Sequence, residues 1–178
     1  MKNLLLFLVF ACTFSFSCLG SPVPFSPIVR NYSVLDYNAG NENWAVAQDE
    51  RGVMYFGNNS GLLRYDGSRW KLFPLPTSGI VRAVYVASDR RIYVGSFEEF
   101  GYFEQNDLNL LEYHSLKEQV KGFDFHNDEI WTIVEQGGNI IFQSFGSYFI
   151  YDGKGTKGVR CPEPVSYTHL RAHETELH

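Results

Sequence analysis

Two adjacent carboxylates, Glu98 and Glu99, form an acidic pair that lies inside a predicted turn. Glycoside hydrolysis needs two carboxyl groups that face each other across the scissile bond, about 5 to 10 Å apart. Neighbouring residues of a strand point to opposite faces of a sheet, so this pair could serve one ligand only from within a loop. We interpret both residues as solvated loop acids or ligand contacts, and the sequence predicts no catalytic residue.

The remaining reactive side chains form no recognisable catalytic or metal-binding set. His114 and His126 are far apart in the sequence and have no cysteine or close histidine partner. Ser96 and Ser144 lie in no nucleophile-elbow motif. The glycines form no phosphate-loop motif. The sequence therefore predicts neither a metal site nor a cofactor.

The composition indicates a packed, turn-rich protein. The chain has 178 residues, which suits about one ordinary domain. Its 16% aromatic residues and 16 glycines argue against disorder, collagen and coiled coil. With 20 acidic against 15 basic side chains, the net charge of −5 disfavours a nucleic-acid-binding surface.

The N-terminus has the features of an export signal. Lys2 provides the positive start, an apolar run covers residues 4–16, and small residues follow. This run is too short to span about 30 Å of hydrocarbon as a helix. We expect a cleaved signal peptide over residues 1–20 and a periplasmic location. A lipoprotein signal ending at Cys18 and a retained anchor are the alternatives.

The C-terminal residues 161–178 are expected to be a non-native tail. Residues 165–175 resemble the translated read-through of a sequencing adaptor. The tail breaks the β pattern, and its three histidines therefore carry no metal-binding argument. The body between the two ends, residues 21–160, contains no cysteine, so its stability must come from packing rather than disulfides.

The body consists of short apolar or alternating runs separated by turns. The first four runs cover residues 44–48, 53–57, 62–65 and 70–75, and Asp66-Gly67 is a strong hairpin signal. The pattern recurs, with corresponding points at 55–57, 93–95 and 141–143, offset by 38 and 48 residues. A period of about 40 to 50 residues with four strands per unit is typical of a β-propeller blade. We predict an all-β fold, a partial β-propeller of about three four-stranded antiparallel blades, at about 43–75, 80–113 and 129–160.

Each predicted blade can bury both faces of its sheet only between neighbouring blades. Trp44, Trp70 and Trp131 recur at blade positions and are interpreted as core wedges. Glycines at the ends of the second strands are expected to allow tight turns. The segment 114–128 is interpreted as a connector, with Ser115 capping a short helix through a capping box.

In a propeller, the turn between the second and third strands of a blade opens on the face where ligands usually bind. This rule predicts a ligand-facing rim that contains Asn58, Asn59, Ser60, Phe97, Glu98, Glu99 and Phe145. Ordinary turn chemistry is the alternative for the two asparagines, and packing is the alternative for the two phenylalanines.

Three segments, 38–44, 55–67 and 95–102, resemble the propeller repeats of two-component-regulator type. In that family the repeats form the periplasmic sensor region of bacterial signalling proteins. The proteins that look most similar continue into a triple-tyrosine domain, a membrane helix and a helix-turn-helix or histidine-kinase output. The resemblance implies a sensor for a small-molecule or oligosaccharide ligand, with carbohydrate fragments as the expected class.

The resemblance covers about residues 25–155, and nothing in the sequence corresponds to the triple-tyrosine domain, the membrane helix or the output. Three blades also cannot close a ring, which typically needs four to eight. We therefore expect an N-terminal fragment that is not itself an enzyme and has no nucleic-acid partner. The resemblance implies membrane attachment only through an absent C-terminal part, and it allows a homodimer of the full-length protein.

Two other classes of function stay open at this point. One is a secreted propeller enzyme that acts on polysaccharide, a lyase or a glycosidase, whose acid–base set would lie in further blades. The other is a structural interaction propeller.

Overall fold

The computed structural model describes residues 29–77, 79–108 and 110–162. It divides into two compact units, Met1–Asn31 and Tyr32–His178. Of the first unit only residues 29–31 are described, and they form no helix or strand. The expected signal peptide and the tail from residue 163 onward lie outside the described residues.

The regular secondary structure described in the second unit consists almost entirely of antiparallel strands. The first sheet contains β1 (Asn43–Gln48), β2 (Met54–Asn58), β3 (Gly61–Tyr65) and β4 (Trp70–Phe73). The second contains β5 (Ala83–Val86), β6 (Ile92–Ser96), β7 (Glu99–Gln105) and β8 (Leu111–Ser115). The third contains β9 (Thr132–Gln136), β10 (Asn139–Gln143), β11 (Ser147–Tyr151) and β12 (Thr156–Arg160). In each sheet the strands follow one another in chain order, which confirms the prediction of three four-stranded blades.

Equivalent turns connect equivalent strands of the first and third blades. Asp66 accepts hydrogen bonds from the backbone amides of Ser68 and Arg69 at 3.1 and 2.9 Å. Asp152 accepts equivalent bonds from the next turn residues, both at 2.9 Å. The tyrosine before each aspartate donates its hydroxyl to the carbonyl of the following glycine. The sequence repeat Tyr-Asp-Gly is therefore a structural repeat.

Each pair of neighbouring blades encloses its own apolar core. The core between the first and second blades includes Tyr55, Leu62, Leu75, Val81, Val94 and Phe103. The core between the second and third includes Tyr93, Phe100, Ile130, Phe142, Phe149 and Tyr151. Phe100 shows the packing best, because its ring lies 4.8 Å from Phe142 and 4.7 Å from Phe149 of the next blade.

Gly57 and Gly95 allow the next blade to approach closely, which is a different role from the tight turns that we expected. A Cβ atom on Gly57 would lie 2.6 Å from the carbonyl oxygen of Val81. A Cβ atom on Gly95 would lie 2.6 Å from the Cβ of Ile130. Both distances are far shorter than a normal van der Waals contact, so these glycines set the spacing between blades.

The segment after residue 31 packs against the first blade near the start of β4. It contains the short helix α1 (Val34–Tyr37). The rings of Tyr32 and Tyr37 lie 5.1 and 5.6 Å from that of Trp70, and Tyr65 stacks on Trp70 at 4.4 Å. Trp70 is therefore covered by Tyr32 and Tyr37 of the segment that precedes the first blade. We expected it to lie between two blades as a core wedge, and it does not.

The connector between the second and third blades contains a short 3-10 helix, Lys117–Gln119. The prediction that Ser115 caps a helix here was wrong. Ser115 is the last residue of β8, and its hydroxyl donates to Glu99 at 2.7 Å. In the part of the chain that the structure describes, no helix is both long and apolar enough to span a bilayer.

Candidate functional site

Trp44, Arg82 and Trp131 occupy the same position in three successive blades. In each blade, the residue that follows it in the chain lies on the first strand. That following residue pairs with Gly57, Gly95 or Gln143 near the end of the second strand. The amides of Arg82 and Trp131 donate to the carbonyls of Gly95 and Gln143 at 2.8 and 2.9 Å. Because β1, β5 and β9 lie side by side, the three side chains meet at one end of the blades. We call these three residues and Glu129 the mouth cluster.

Arg82 is the centre of the mouth cluster. Its guanidinium carbon lies 3.8 Å from the ring centre of Trp44 and 5.1 Å from that of Trp131. Its Nε donates to Oε1 of Glu129 at 2.6 Å. Cation–π attraction and a charge-assisted hydrogen bond thus fix one side chain against residues of the first and third blades.

Two hydrogen-bond donors of the mouth cluster are buried and have no acceptor among the residues that the structure describes. They are Nη1 of Arg82 and Nε1 of Trp131. A buried donor without a partner costs about 1–3 kcal/mol, so the cluster has unused capacity for an oxygen acceptor. By contrast, Nε1 of Trp44 donates to Oδ1 of Asn59 at 2.7 Å.

Three aromatic side chains at this end of the blades are half-exposed. Trp44, Phe97 and Phe145 retain 44%, 51% and 45% of their accessible surface. The ring of Phe145 lies 5.7 Å from that of Trp131, and a backbone bridge places Phe97 beside Glu129. Exposed rings of this size are unusual and offer apolar faces to a partner.

The structure separates six of the seven predicted rim residues into two groups. The seventh, Ser60, is half-buried, and its backbone amide donates to Oδ1 of Asn58 at 2.9 Å. Asn59, Phe97, Glu98 and Phe145 lie at the rim, together with the mouth cluster. Glu98 has left-handed backbone geometry (φ 46°), accepts from the amide of Asn127 at 3.2 Å and pairs with Lys117 at 3.7 Å.

Asn58 and Glu99, also predicted as ligand contacts, are buried and occupied with internal hydrogen bonds. The Asn58 amide nitrogen donates to the Gly40 carbonyl at 2.7 Å, and its oxygen accepts from the Gly40 amide at 2.9 Å. Oε1 of Glu99 accepts from the hydroxyls of Tyr113 and Ser115 at 2.8 and 2.7 Å. Burial and the Glu99 carboxylate together raise the pKa of Tyr113 far above its ordinary range. Both residues hold the fold together at this end and are not exposed to a ligand.

Sequence reasoning missed Arg82 and Glu129 and misjudged Trp44, which it assigned to the core. A signal was present, because the repeat offset of 38 residues leads directly from Trp44 to Arg82. The second offset of 48 residues leads to Ile130, one residue short of Trp131.

A second concave region lies at the opposite end, between the first two blades. This cleft has a volume of about 610 Å³, and its lining includes Asp49, Glu50, Arg51, Arg90, Arg91 and Glu104. Burial acts to raise the pKa of Asp49, but hydrogen bonds from the amides of Val53 and Arg51 and from the Arg51 guanidinium outweigh it and lower the pKa. Because most of these charges are paired within the cleft, it offers less to a ligand than the mouth cluster.

Within the three described ranges, no group of three or more histidine, cysteine, aspartate or glutamate side chains is arranged to hold a metal ion. His114 stacks on Tyr102 at 5.0 Å, and His126 lies between Asp124 and Arg160.

Taken together, the three blades and their mouth define a partial β-propeller with a candidate ligand site at one end. Solved structures to which this chain is similar include two kinds of protein. The extracellular domain of a putative one-component system from B. thetaiotaomicron is 16% identical, with a TM-score of 0.58 over 72% of this chain and 18% of that one. The extracellular domain of a putative hybrid two-component system from the same organism is also 16% identical, with a TM-score of 0.54 over 75% of this chain and 17% of that one.

The second group consists of lyases. Virginiamycin B lyase from Staphylococcus aureus is 13% identical, with a TM-score of 0.55 over 70% of this chain and 43% of the lyase. The chain thus spans less than half of each of these proteins, and at such low identity the likeness establishes the propeller fold alone. No family model and no curated protein sequence matches the chain.

Proposed function

We propose that the chain is the ligand-sensing propeller module of an exported bacterial signal-transducing regulator, located in the periplasm, and that its ligand is a nutrient such as a carbohydrate. The observation that carries the proposal is the stack of Trp44, Arg82 and Trp131, because three blades contribute to one partly exposed surface. The likeness to extracellular domains of putative one- and two-component systems supports the sensor role.

The geometry of Arg82 supports a way for binding to be transmitted. Its side chain links the first, second and third blades through Trp44 and Glu129. A ligand that contacts Arg82 therefore acts on all three blades together. The ligand shifts the populations of two blade arrangements to the extent that its affinities for them differ. In this proposal the transcriptional output belongs to a longer protein.

A secreted propeller enzyme is the second candidate, and the lyase structures favour it. One of them is a catalytically inactive histidine-to-alanine variant of virginiamycin B lyase with quinupristin. Of the histidines in the described ranges, His114 packs on Tyr102 and His126 interacts with Asp124. Since both contacts lie outside the mouth cluster, we rank the sensor first and propose that this chain is not an enzyme.

Intrinsic tryptophan fluorescence tests the sensor proposal, because Trp44 and Trp131 lie at the site. The purified chain is titrated with oligosaccharides from plant and host glycans. We expect a saturable change with at least one of them, its loss in Trp44→Ala, and its retention in Trp70→Phe, which alters the tryptophan beneath Tyr32 and Tyr37. A folded chain that shows no saturable change with any oligosaccharide contradicts the proposal. Conversion of quinupristin, detected by mass spectrometry, establishes the enzyme instead.

A further inference from the structure

Resting on the proposed function, we infer that the mouth cluster selects an uncharged, hydroxyl-rich ligand such as a neutral saccharide and disfavours acidic saccharides. Arg82 acts as a hydrogen-bond donor and Glu129 as an acceptor. Trp44 supplies the apolar face. The inference depends on how the charges at this end of the blades are compensated.

Each basic side chain beside the rim turns already has a carboxylate partner. Arg82 pairs with Glu129 at 2.6 Å, Lys117 with Glu98 at 3.7 Å, and Arg160 with Asp128 at 3.5 Å. A fourth carboxylate, that of Glu42, accepts a hydrogen bond from the side-chain amide nitrogen of Asn59 at 3.1 Å. Carboxylates therefore outnumber cations here, so an incoming anion meets net repulsion.

The donors and acceptors at the mouth nevertheless match a hydroxyl-bearing ring. Arg82 retains Nη1 without a partner after its charge is compensated. Oε1 of Glu129 receives Arg82, and within the described ranges no hydrogen bond reaches Oε2. The two side chains are 15% and 22% exposed, so part of the pair faces solvent, while Nη1 itself is buried. A hydroxyl group can accept from the arginine and donate to the carboxylate, whereas a ligand carboxylate can only accept.

The aromatic surroundings favour a ligand with a flat apolar face. One face of Trp44 is covered by the guanidinium of Arg82, yet almost half of the side chain remains exposed. Phe145 beside Trp131 extends this surface. The carbon-bound hydrogens of a saccharide ring can pack on such rings while its hydroxyls reach the Arg82–Glu129 pair.

The test compares matched neutral and acidic oligosaccharides, namely methyl-esterified against free galacturonan fragments and xylo- against glucuronoxylo-oligosaccharides. Calorimetric titration of the wild-type chain should give at least about tenfold tighter binding of the neutral member of each pair, which is the size of one lost charge-assisted interaction. Glu129→Gln leaves Arg82 uncompensated, so we expect the acidic member to gain affinity and the neutral preference to shrink or reverse. The gain should weaken as salt is raised.

Glu42→Gln is the matched control, because it removes a nearby carboxylate without unpairing Arg82. It should change the preference less than Glu129→Gln. Arg82→Gln keeps a hydrogen-bond donor but removes the cation, so it should retain or strengthen the preference for neutral saccharides. A thermal melt of each variant checks that it is folded.

Tighter binding of the acidic members by the wild-type chain, or an unchanged preference in folded Glu129→Gln, overturns this inference and leaves the sensor proposal standing. Failure of every oligosaccharide, neutral or acidic, overturns the sensor proposal itself.

Discussion

Replacing Gly95 with alanine should weaken the packing between the second and third blades. The new methyl group would lie 2.6 Å from the Cβ of Ile130, whose backbone is anchored by a 3.0 Å hydrogen bond to the Ser96 carbonyl. Because Ile130 is buried and held in this way, it cannot move aside freely. Overpacking of this kind costs about 1–3 kcal/mol. A chain of this length loses about 2–4 °C in melting temperature for each kcal/mol, so we expect a fall of about 2–12 °C.

Gly155 provides the matched control. A Cβ atom there would meet no atom of the described residues within 4 Å, and its backbone does not have positive φ. Gly155→Ala should therefore be neutral or slightly stabilising, by up to about 1 kcal/mol. Melting temperatures from circular dichroism compare the two variants directly.

A double-mutant cycle attributes the effect to Ile130. Ile130→Ala removes Cγ2, the atom nearest to the new methyl group, but keeps Cβ, so Gly95→Ala should cost less in that background without becoming neutral. If Gly95→Ala is as well tolerated as Gly155→Ala, or if its cost is unchanged by Ile130→Ala, the described packing of these blades is wrong.

Three further predictions follow from single residues. Phe100→Ala should lower the free energy of unfolding by about 3–5 kcal/mol, because Phe100 is fully buried between rings of the next blade. Phe97 is half-exposed, so Phe97→Ala should cost less than about 1 kcal/mol. Equal losses of the two variants in urea denaturation would contradict the packing. Hydrogen bonds from the amides of Arg69 and Ser68 lower the pKa of Asp66 from 3.8 to about 2, so its stabilisation is complete above pH 4 and is lost as the pH falls towards 2. Asp66→Asn keeps an acceptor for the turn, so the melting temperature should change little at pH 6 and fall less steeply than that of the wild type between pH 4 and 2; parallel curves would refute this role. Asn58→Ala should destabilise the chain even without any ligand, because the side chain bonds the backbone of Gly40 in both directions, and an unchanged melting temperature would show that those bonds do not form.

The strands and their grouping into blades could be predicted because they depend on local signals. Alternating apolar runs and turns such as Asp66-Gly67 specify hairpins within a few residues of the chain, and the repeat then groups four strands into each unit. The same information could not reveal the role of Gly95, since its partner Ile130 comes 35 residues later in the sequence.

The candidate site was only partly predictable, for a related reason. Turn position alone placed Asn59, Phe97, Glu98 and Phe145 at the rim. Burial separated Asn58 and Glu99 from them, and burial depends on neighbours distant in the sequence, Gly40 for one and Ser115 for the other. Arg82 was missed because only the approach of Trp44 and Glu129 from other blades gives it a role.

Nuclear magnetic resonance of the Arg82 side chain tests the central claim most directly, that three successive blades meet at one mouth. The Hε and Hδ protons of Arg82, assigned by comparison with Arg82→Lys, should be shifted upfield by the ring currents of Trp44 and Trp131 and should show cross-relaxation with both indoles. Arg82 resonances at the positions found in unfolded peptides, with no cross-relaxation to either tryptophan, would contradict the arrangement of the blades and the site built on it.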